Sequence, residues 1–230
     1  RFALAEFKEN LKSTTFCAAV FDYDGTLVDT RVRFFPPIQE IVVELIRMIE
    51  AGLIVGIATG RGASVRRDLQ SCLPRILWGR VIVGYYNGAD IAFLDDDTHP
   101  DGEPESGEDL IQIAHALRSH TELGEIAIQE DRRWQITLKP RQAIPENRLW
   151  DISNEVIQLH GLSAIHIVRS SHSIDILAPG VTKRSVIQYI NKASGQGDGA
   201  GILKVGDRGC WPGTDFELLR EPYSLSADEL

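Results

Sequence analysis

Short apolar runs alternate with longer segments of helical periodicity in the first third of the chain. The runs Phe16–Phe21, Leu53–Ala58 and Val81–Tyr86 carry no regular polar positions, which is typical of strands that are buried on both faces of a sheet. The segments between them place apolar residues three or four positions apart and predict helices. We therefore expect this part of the chain to form a parallel sheet with helices on both faces.

Three helices are predicted here, at Leu4–Lys12, from Pro36-Pro37 to Glu50, and at Ala63–Cys72. The second helix carries an apolar stripe and ends at Ala51-Gly52. The stripe consists of Ile38, Ile41, Val42, Leu45, Ile46 and Ile49. Residues Val28–Phe35 show no period, and this favours a loop or a small flap.

The pattern changes after Gly88, where helices alternate with strands of period two and a compact α+β insertion is predicted. Alternating residues such as Ile126 and Ile128 predict one buried sheet face and one solvated face. The predicted elements are a strand Ile91–Leu94, an acidic loop Asp95–Gly107, a helix Glu108–His120, strands Glu125–Gln129 and Trp134–Lys139, a helix Pro145–His160, and strands Ala164–Arg169 and Ser173–Leu177.

The first pattern resumes at Gly180. A helix Arg184–Lys192, a strand Ile202–Gly206, a short helix Asp215–Arg220 and a last strand Tyr223–Ser226 are predicted, with a Gly-rich loop at 194–201. The fold class is therefore α/β, a doubly wound parallel sheet with an inserted α+β domain. We expect a core formed by residues 1–87 and 178–230, and an insertion at 88–177.

Composition excludes several function classes. The net charge is −9, with 7 Lys and Arg against 17 Asp and Glu between Gly88 and Asp175, and an acidic chain without a basic cluster is not expected to bind nucleic acid. Membrane association is not expected either, because the apolar runs are short and the first residues are charged. The three cysteines are far apart and lack metal-ligand spacing, which favours a reducing, cytoplasmic setting.

Two carboxylates follow the first predicted strand, at Asp22 and Asp24. If the strand geometry continues, both side chains lie on one side of the sheet, and such a pair needs a cation or a shared proton. Oxygen ligands of this kind suit Mg²⁺. An acidic turn after a strand is the alternative interpretation of this stretch alone.

Polar residues also follow two other predicted strands. Thr59-Gly60 follows the second strand, Asp207 follows the strand at 202–206, and Lys183 precedes a helix. Loops at the carboxyl ends of strands form the ligand crevice of an open parallel sheet, so these positions can converge. Lys183 is alternatively a solvated surface lysine, and Asp215 is alternatively a helix cap.

Four motifs occur in a fixed order along the chain: FDYDGTL, IATGR, the Lys of GVTK, and GDRGCWPGTD. In this combination the chain resembles the haloacid dehalogenase (HAD) superfamily of phosphotransferases. The insertion between the second and third motifs resembles the C2-type cap of phosphomannomutases, sucrose-phosphate and trehalose-phosphate phosphatases and Cof-like enzymes. Asn87-Gly88-Ala89 matches the turn by which such enzymes enter the cap.

The resemblance implies a Mg²⁺-dependent phosphatase that works through an aspartyl-phosphate. Asp22 would attack phosphorus, and Asp24 would protonate the leaving oxygen and later deprotonate the attacking water. Thr59, Gly60 and Lys183 would bind phosphoryl oxygens. Mg²⁺ would be held by Asp22, the main-chain carbonyl of Asp24 and Asp207, with Asp215 as a further candidate.

The resemblance also implies that cap residues select the substrate, which we expect to be a small phosphorylated metabolite, foremost a sugar phosphate. Aromatic and guanidinium groups suit a sugar or a second anionic group, and the candidates are Asn87, Arg133, Trp134, Arg169 and His172. Two alternatives stay open, a phosphosugar mutase and a binding or scaffold protein that has lost turnover.

Other residues are predicted to be structural. Arg61 and Arg66 are expected to be surface residues on a helix, and Trp211 is expected to pack within its loop. All six histidines fall in the insertion, so catalysis by a histidine of the core is not expected.

Overall fold

A computed structural model describes residues 2–100, 107–141, 147–161, 165–170, 172–194 and 201–227. Its elements, in chain order, are α1 (Phe2–Ser13), β1 (Ala18–Asp22), α2 (Gln39–Glu50), β2 (Ile54–Ala58), α3 (Ala63–Cys72), β3 (Val81–Tyr85), β4 (Asp90–Phe93), α4 (Glu108–Ser119), α5 (Thr121–Ile126), β5 (Ala127–Asp131), β6 (Gln135–Pro140), α6 (Arg148–Leu159), β7 (His166–Arg169), β8 (Ile174–Leu177), α7 (Arg184–Ser194), β9 (Ile202–Gly206), α8 (Phe216–Leu219) and β10 (Ser224–Ser226). None of these helices is long and apolar enough to cross a bilayer.

The chain divides into two compact units. The first comprises Arg1–Pro100, Thr182–Gly209 and Asp215–Leu230, and the second comprises Asp101–Val181 and Cys210–Thr214. The second unit starts later than the predicted residue 88, because β4 pairs antiparallel with β3 and so belongs to the first unit's sheet. A strand this short gives no sequence signal for the neighbour with which it pairs.

The sheet of the first unit has the strand order β10-β9-β1-β2-β3-β4. All neighbours are parallel except the edge pair β3 and β4. The register pairs Asp22 with Ala58 and Phe21 with Val205, so the carboxyl ends of β1, β2 and β9 lie at one edge. The residues that follow these strands are therefore brought together.

Both faces of this sheet are covered, which confirms the doubly wound class. Ala19 and Phe21 belong to one apolar cluster with α2 and α3, whereas Ala18 and Val20 belong to another with α7 and α8. Helix α2 begins at Gln39 rather than at the two prolines, and Ile38 is 60% exposed, so the predicted stripe is wrong at its first member.

Gly84 in β3 lies where α7 packs against the sheet. A Cβ atom at this position would lie 2.3 Å from Cγ2 of Val186, so we expect Gly84→Ala to lower the free energy of unfolding by about 1–3 kcal/mol. Chemical denaturation measures this. Gly124→Ala is the control, since its Cβ would meet nothing within 4 Å, and it should cause no loss. Equal losses in the two variants would contradict the packing argument.

The second unit is an antiparallel sheet with the order β5-β6-β8-β7, whose apolar cluster includes residues of α4 and α6. The sequence prediction missed α5, which occupies residues 121–126 where a strand was expected to begin. Strand β5 starts at Ala127, which is buried, while Ile128 is 44% exposed. The predicted burial of Ile128 is wrong because Ala127 occupies the buried face of β5, and successive residues of a strand point to opposite faces.

The prediction of one solvated face is also wrong for the inner strands of this sheet. Gln135 and Thr137 of β6 and Asp175 of β8 are buried, and Nε2 of Gln135 donates to Oγ1 of Thr137 at 3.1 Å. Some predicted bounds lie outside the described residues: Pro145 and Ala164, together with residues 101–106 and 195–200 of the predicted loops.

The segment Cys210–Thr214 belongs to the second unit although both of its flanks belong to the first. The main-chain N–H of Arg169, at the end of β7, donates to the carbonyl of Pro212 at 2.8 Å. The Trp211 and Trp150 rings meet edge to face with their centroids 6.3 Å apart. Trp211 therefore contacts α6, although its side chain is 64% exposed.

Candidate active site

Three aspartates meet at the carboxyl edge of the first unit's sheet. Asp22 is the last residue of β1, Asp207 directly follows β9, and Asp215 directly precedes α8. One carboxylate oxygen from each lies within 4.8 Å of the others, and all three side chains are buried. The parallel register explains how residues so distant in sequence reach one place.

Lys183 supplies a positive charge to this cluster. Its Nζ lies 2.6 Å from Oδ1 of Asp22 and 2.6 Å from Oδ1 of Asp215, and the residue is only 4% exposed. A buried lysine between two carboxylates is not a solvated surface residue, so that alternative is wrong.

Asp215 does not cap the helix that follows it. Its Oδ2 accepts hydrogen bonds from the main-chain N–H groups of Asp207 at 3.1 Å and Arg208 at 3.0 Å, and it makes no side-chain cap bond to α8. The capping alternative is therefore wrong. The Asp215 carboxylate instead bonds both to Lys183 and to the first two main-chain N–H groups of the loop that begins at Asp207.

The cluster holds more negative charge than Lys183 offsets. Burial and the charge of Asp215 raise the pKa of Asp22 well above its ordinary value, and the same causes raise the pKa of Asp207 to about 6. Burial acts on Asp215 too, but the charge and hydrogen bond of Lys183 outweigh it and lower the pKa of Asp215. Two carboxyl groups are thus held in surroundings that disfavour their ionised form.

These residues fit a divalent cation. Among the described residues, Oδ2 of Asp22 is buried and has no hydrogen-bond partner. A buried, unpaired carboxylate oxygen beside two further carboxylates provides the hard oxygen ligands that Mg²⁺ prefers. The backbone approaches closely here as well, since a Cβ at Gly25, where φ is +101°, would lie 2.3 Å from Oδ2 of Asp207.

The raised pKa of Asp207 predicts how stability depends on pH in EDTA. The native protein holds this proton more tightly than the unfolded chain does, since the pKa rises from 3.8 to about 6. The free energy of unfolding should therefore fall as pH increases through this interval, by about 2 kcal/mol from this group between pH 4.5 and pH 7. Urea denaturation at pH 4.5 and pH 7 measures the fall, and Asp207→Asn should reduce it.

If the three-aspartate cluster holds a cation, Mg²⁺ should raise the stability of the wild type at pH 7 more than at pH 4.5, because a cation favours the ionised carboxylates of the native state. The interpretation fails if wild type and Asp207→Asn show the same pH dependence in EDTA.

Asp24 lies beyond the end of β1, and its carboxylate is not a member of the three-acid cluster among the described residues. It accepts hydrogen bonds from Nε of Arg61 at 2.9 Å and from Nη2 at 2.5 Å. The prediction that Arg61 is a surface residue is wrong, since only 16% of its side chain is exposed. Arg66 lies on α3, as predicted, and its Nη1 donates to the carbonyl of Asp97 at 2.9 Å.

Thr59 and Asn87 lie side by side after β2 and β3. The main-chain N–H of Asn87 donates to the carbonyl of Thr59 at 2.7 Å, and both residues are buried. Oγ1 of Thr59 accepts a hydrogen bond from the main-chain N–H of Arg61 at 3.1 Å, across Gly60. Asn87 has a φ of +59°, in the left-handed region that asparagine tolerates.

A histidine lies in the first unit, contrary to prediction. His99 falls before Pro100, and its Nδ1 lies 2.6 Å from Oδ1 of Asp90 in β4. The error comes from the predicted domain boundary at residue 88. The partner of this histidine is the edge-strand aspartate.

The remaining candidates lie in the second unit. The guanidinium of Arg133 lies over the ring of Trp134 at 4.5 Å, and Nη1 of Arg169 donates to Oδ1 of Asn147 at 3.1 Å. The main-chain N–H of His172 donates to Oγ of Ser170 at 3.2 Å. Their part in selecting a substrate stays a prediction.

A cavity of about 430 Å³ opens beside Asp207 within the first unit. One wall is the segment after β1, the predicted flap, which contains a 3-10 turn at Thr30–Val32. The lining residues are Gly25, Thr26, Leu27, Val28, Asp29, Thr30, Val32, Pro36, Ile38, Ile41, Asp207 and Arg208.

No protein-family profile matches the chain, and no curated protein matches it by sequence. Solved structures do match. A sugar phosphatase of HAD subclass IIB is 19% identical with a TM-score of 0.62, over 91% of this chain and 86% of its own. The sucrose-phosphatase from Synechocystis sp. PCC6803, in complex with sucrose and phosphate, is 19% identical with a TM-score of 0.62, over 93% and 83%.

The chain shares the fold of these two phosphatase structures. A third structure, the IMP-bound IMP-nucleotidase of Plasmodium falciparum, is 12% identical with a TM-score of 0.66 over 93% of this chain and 65% of its own. The HAD fold is thus shared with structures that differ in most residues. Function must be argued from the site itself.

Proposed function

We propose that this chain is a Mg²⁺-dependent phosphatase that hydrolyses a small phosphate monoester, foremost a sugar phosphate. The observation that carries the proposal is the buried cluster of Asp22, Asp207 and Asp215 around Lys183, at the carboxyl edge of a HAD-type sheet. Such a cluster combines a nucleophilic carboxylate, ligands for a cation and a fixed positive charge.

Asp22 is the nucleophile in this proposal. Its carboxylate attacks phosphorus, the bond between phosphorus and the ester oxygen breaks, and the leaving oxygen keeps the electron pair and takes a proton from Asp24. Water then attacks the aspartyl-phosphate, and the Asp24 carboxylate takes a proton from that water. Inorganic phosphate leaves and Asp22 is regenerated.

Other residues of the site bind the transferred group. The ammonium of Lys183 faces Asp22 directly, and it offsets charge on the phosphoryl oxygens. The Thr59 hydroxyl and the Gly60 amide supply hydrogen-bond donors at the end of β2. Asp22, Asp207 and Asp215, with the main-chain carbonyl of Asp24, are the proposed ligands of Mg²⁺. When bound, Mg²⁺ neutralises the repulsion between the carboxylates and the phosphate dianion.

The second unit is the proposed specificity element. Its Arg133 and Trp134 side chains form a stacked cation and ring, a combination that suits a sugar or a second anionic group. The three cysteines described are free thiols, and this fits an enzyme of the reducing cytoplasm. We propose no nucleic-acid or membrane partner.

The test is a screen of phosphorylated metabolites for release of inorganic phosphate, with Mg²⁺ and with EDTA. We expect release that needs Mg²⁺ and is fastest for one group of sugar phosphates. Release that persists unchanged in EDTA would overturn the metal requirement, and no release from any ester would overturn the phosphatase.

Adding a bisphosphorylated sugar distinguishes the mutase alternative. A mutase needs this activator and returns the phosphoryl group to a sugar. Phosphate release at the same rate with and without the activator would therefore rule out the mutase. An inactive wild type that binds a partner protein would favour the scaffold alternative.

A further inference from the structure

Arg61 contacts three segments of the first unit at once. Its Nε and Nη2 donate to the two carboxylate oxygens of Asp24, and Nη2 also donates to the carbonyl of Arg33 in the predicted flap. Its Nη1 lies 3.5 Å from Oδ2 of Asp68 in α3. A guanidinium offers five N–H donors in one plane, and only such a group satisfies all these acceptors together.

The surroundings hold this guanidinium in place. Its central carbon lies 5.2 Å from the centroid of the Tyr23 ring, and the Tyr23 hydroxyl donates to Oδ2 of Asp68 at 3.3 Å. The side chains of Arg61, Asp24 and Asp68 are each less than a fifth exposed. A two-point ion pair that is mostly withdrawn from water fixes orientation far better than an exposed pair does.

We propose that Arg61 is a positioning residue that fixes the orientation of the Asp24 carboxylate toward the leaving oxygen. This inference rests on the proposed function, in which Asp24 gives a proton to that oxygen. Asp24 lies outside β1 and is not held by a strand, and the contact that engages both of its carboxylate oxygens comes from Arg61. Proton transfer requires the carboxyl group within hydrogen-bond reach of the ester oxygen, so orientation limits its rate.

The test compares two esters in Arg61→Gln and Arg61→Lys. The nitrophenolate of p-nitrophenyl phosphate can leave without being protonated. The alkoxide of an alkyl phosphate needs a proton in order to leave. The second ester is whichever of glucose 6-phosphate and glycerol 3-phosphate the wild type hydrolyses faster. The readout is kcat/KM, which reports the steps up to loss of the leaving group. We expect kcat/KM to fall about 100-fold for the alkyl ester and less than about 5-fold for the aryl ester.

Arg66→Gln is the matched control. Arg66 lies on α3 and likewise donates to main-chain carbonyls, but it does not contact Asp24. We expect kcat/KM of Arg66→Gln to change equally for the two esters, and by less than about 2-fold. In an Asp24→Asn background, Arg61→Gln should cause no further loss on either ester, because the group that it orients has already been removed.

Several outcomes would overturn the inference. An equal fall for both esters would show that Arg61 acts on the phosphoryl group or on stability, and an additive loss in the Asp24→Asn background would show that it does not act through Asp24. If both Arg61 variants fail to fold, Asp68→Asn replaces them and should cause a smaller but equally selective loss. If the wild type hydrolyses neither ester, the fastest alkyl ester of the metabolite screen replaces the second one, and no release from any ester overturns the proposed function and this inference together.

Discussion

Replacing Asp22 with asparagine should abolish phosphate release. An amide cannot form the covalent phosphoryl intermediate, so we expect kcat to fall by about 10⁴-fold or more on every ester, including p-nitrophenyl phosphate. The variant should still fold, because Lys183 keeps its bond to Asp215 at 2.6 Å. Phosphate release and circular dichroism, measured on the same preparation, check both statements.

Glu44→Gln is the control for this experiment. Glu44 lies on α2, its side chain is 53% exposed, and it pairs with Arg47. Its replacement should leave turnover within about 2-fold of the wild type. Full activity in Asp22→Asn would contradict the mechanism, whatever the other variants show.

Replacing Lys183 with methionine should produce the largest loss of stability. Removing the ammonium leaves Asp22 and Asp215 buried without their counter-ion, and breaking a buried pair in this way costs about 3–5 kcal/mol. The deficit should be greater at pH 7.5 than at pH 5, because protonation removes the uncompensated charges. Denaturation in urea at both pH values, in EDTA, measures the effect.

Lys12→Met provides the comparison, since this lysine is 73% exposed and pairs with Glu9 one helical turn away. It should change the free energy of unfolding by less than about 0.5 kcal/mol. A Lys183→Met variant as stable as Lys12→Met would show that the buried contacts do not contribute to folding.

The sequence predicted the parts of the site that depend on strand ends. Asp22, Thr59 and Asp207 each follow a short, mainly apolar run, in which Lys204 is the one charged residue, so their positions at one sheet edge follow from topology alone. Helix α3 was likewise predicted with its observed bounds. These features need only local patterns and the rule that parallel strands share an edge.

The role of Arg61 could not be predicted in this way. Its acceptors, at Asp24, Arg33 and Asp68, are set by tertiary packing, and an arginine after a Thr-Gly turn looks like any solvated residue at a helix start. The same limit applies to Asp215, whose contacts with Lys183 and two main-chain N–H groups have no local sequence pattern.

The second unit was predicted less well for a different reason. A short helix occupies residues 121–126, and the strand that follows begins at Ala127, two residues later than expected, with Ala127 buried and Ile128 exposed. Propensity does not separate a short helix from a strand of similar composition. Tertiary packing decided this segment.

The placement of Cys210–Thr214 bears on how this protein can be shortened. Deleting residues 101–181 would remove Arg169, whose main-chain N–H donates to the carbonyl of Pro212. The segment Cys210–Thr214 would then remain in the polypeptide without the unit to which it belongs. The insertion is therefore not a single cassette that an engineer could excise or exchange at two cut points. A chimera with a foreign cap needs the matching five-residue piece from the donor as well.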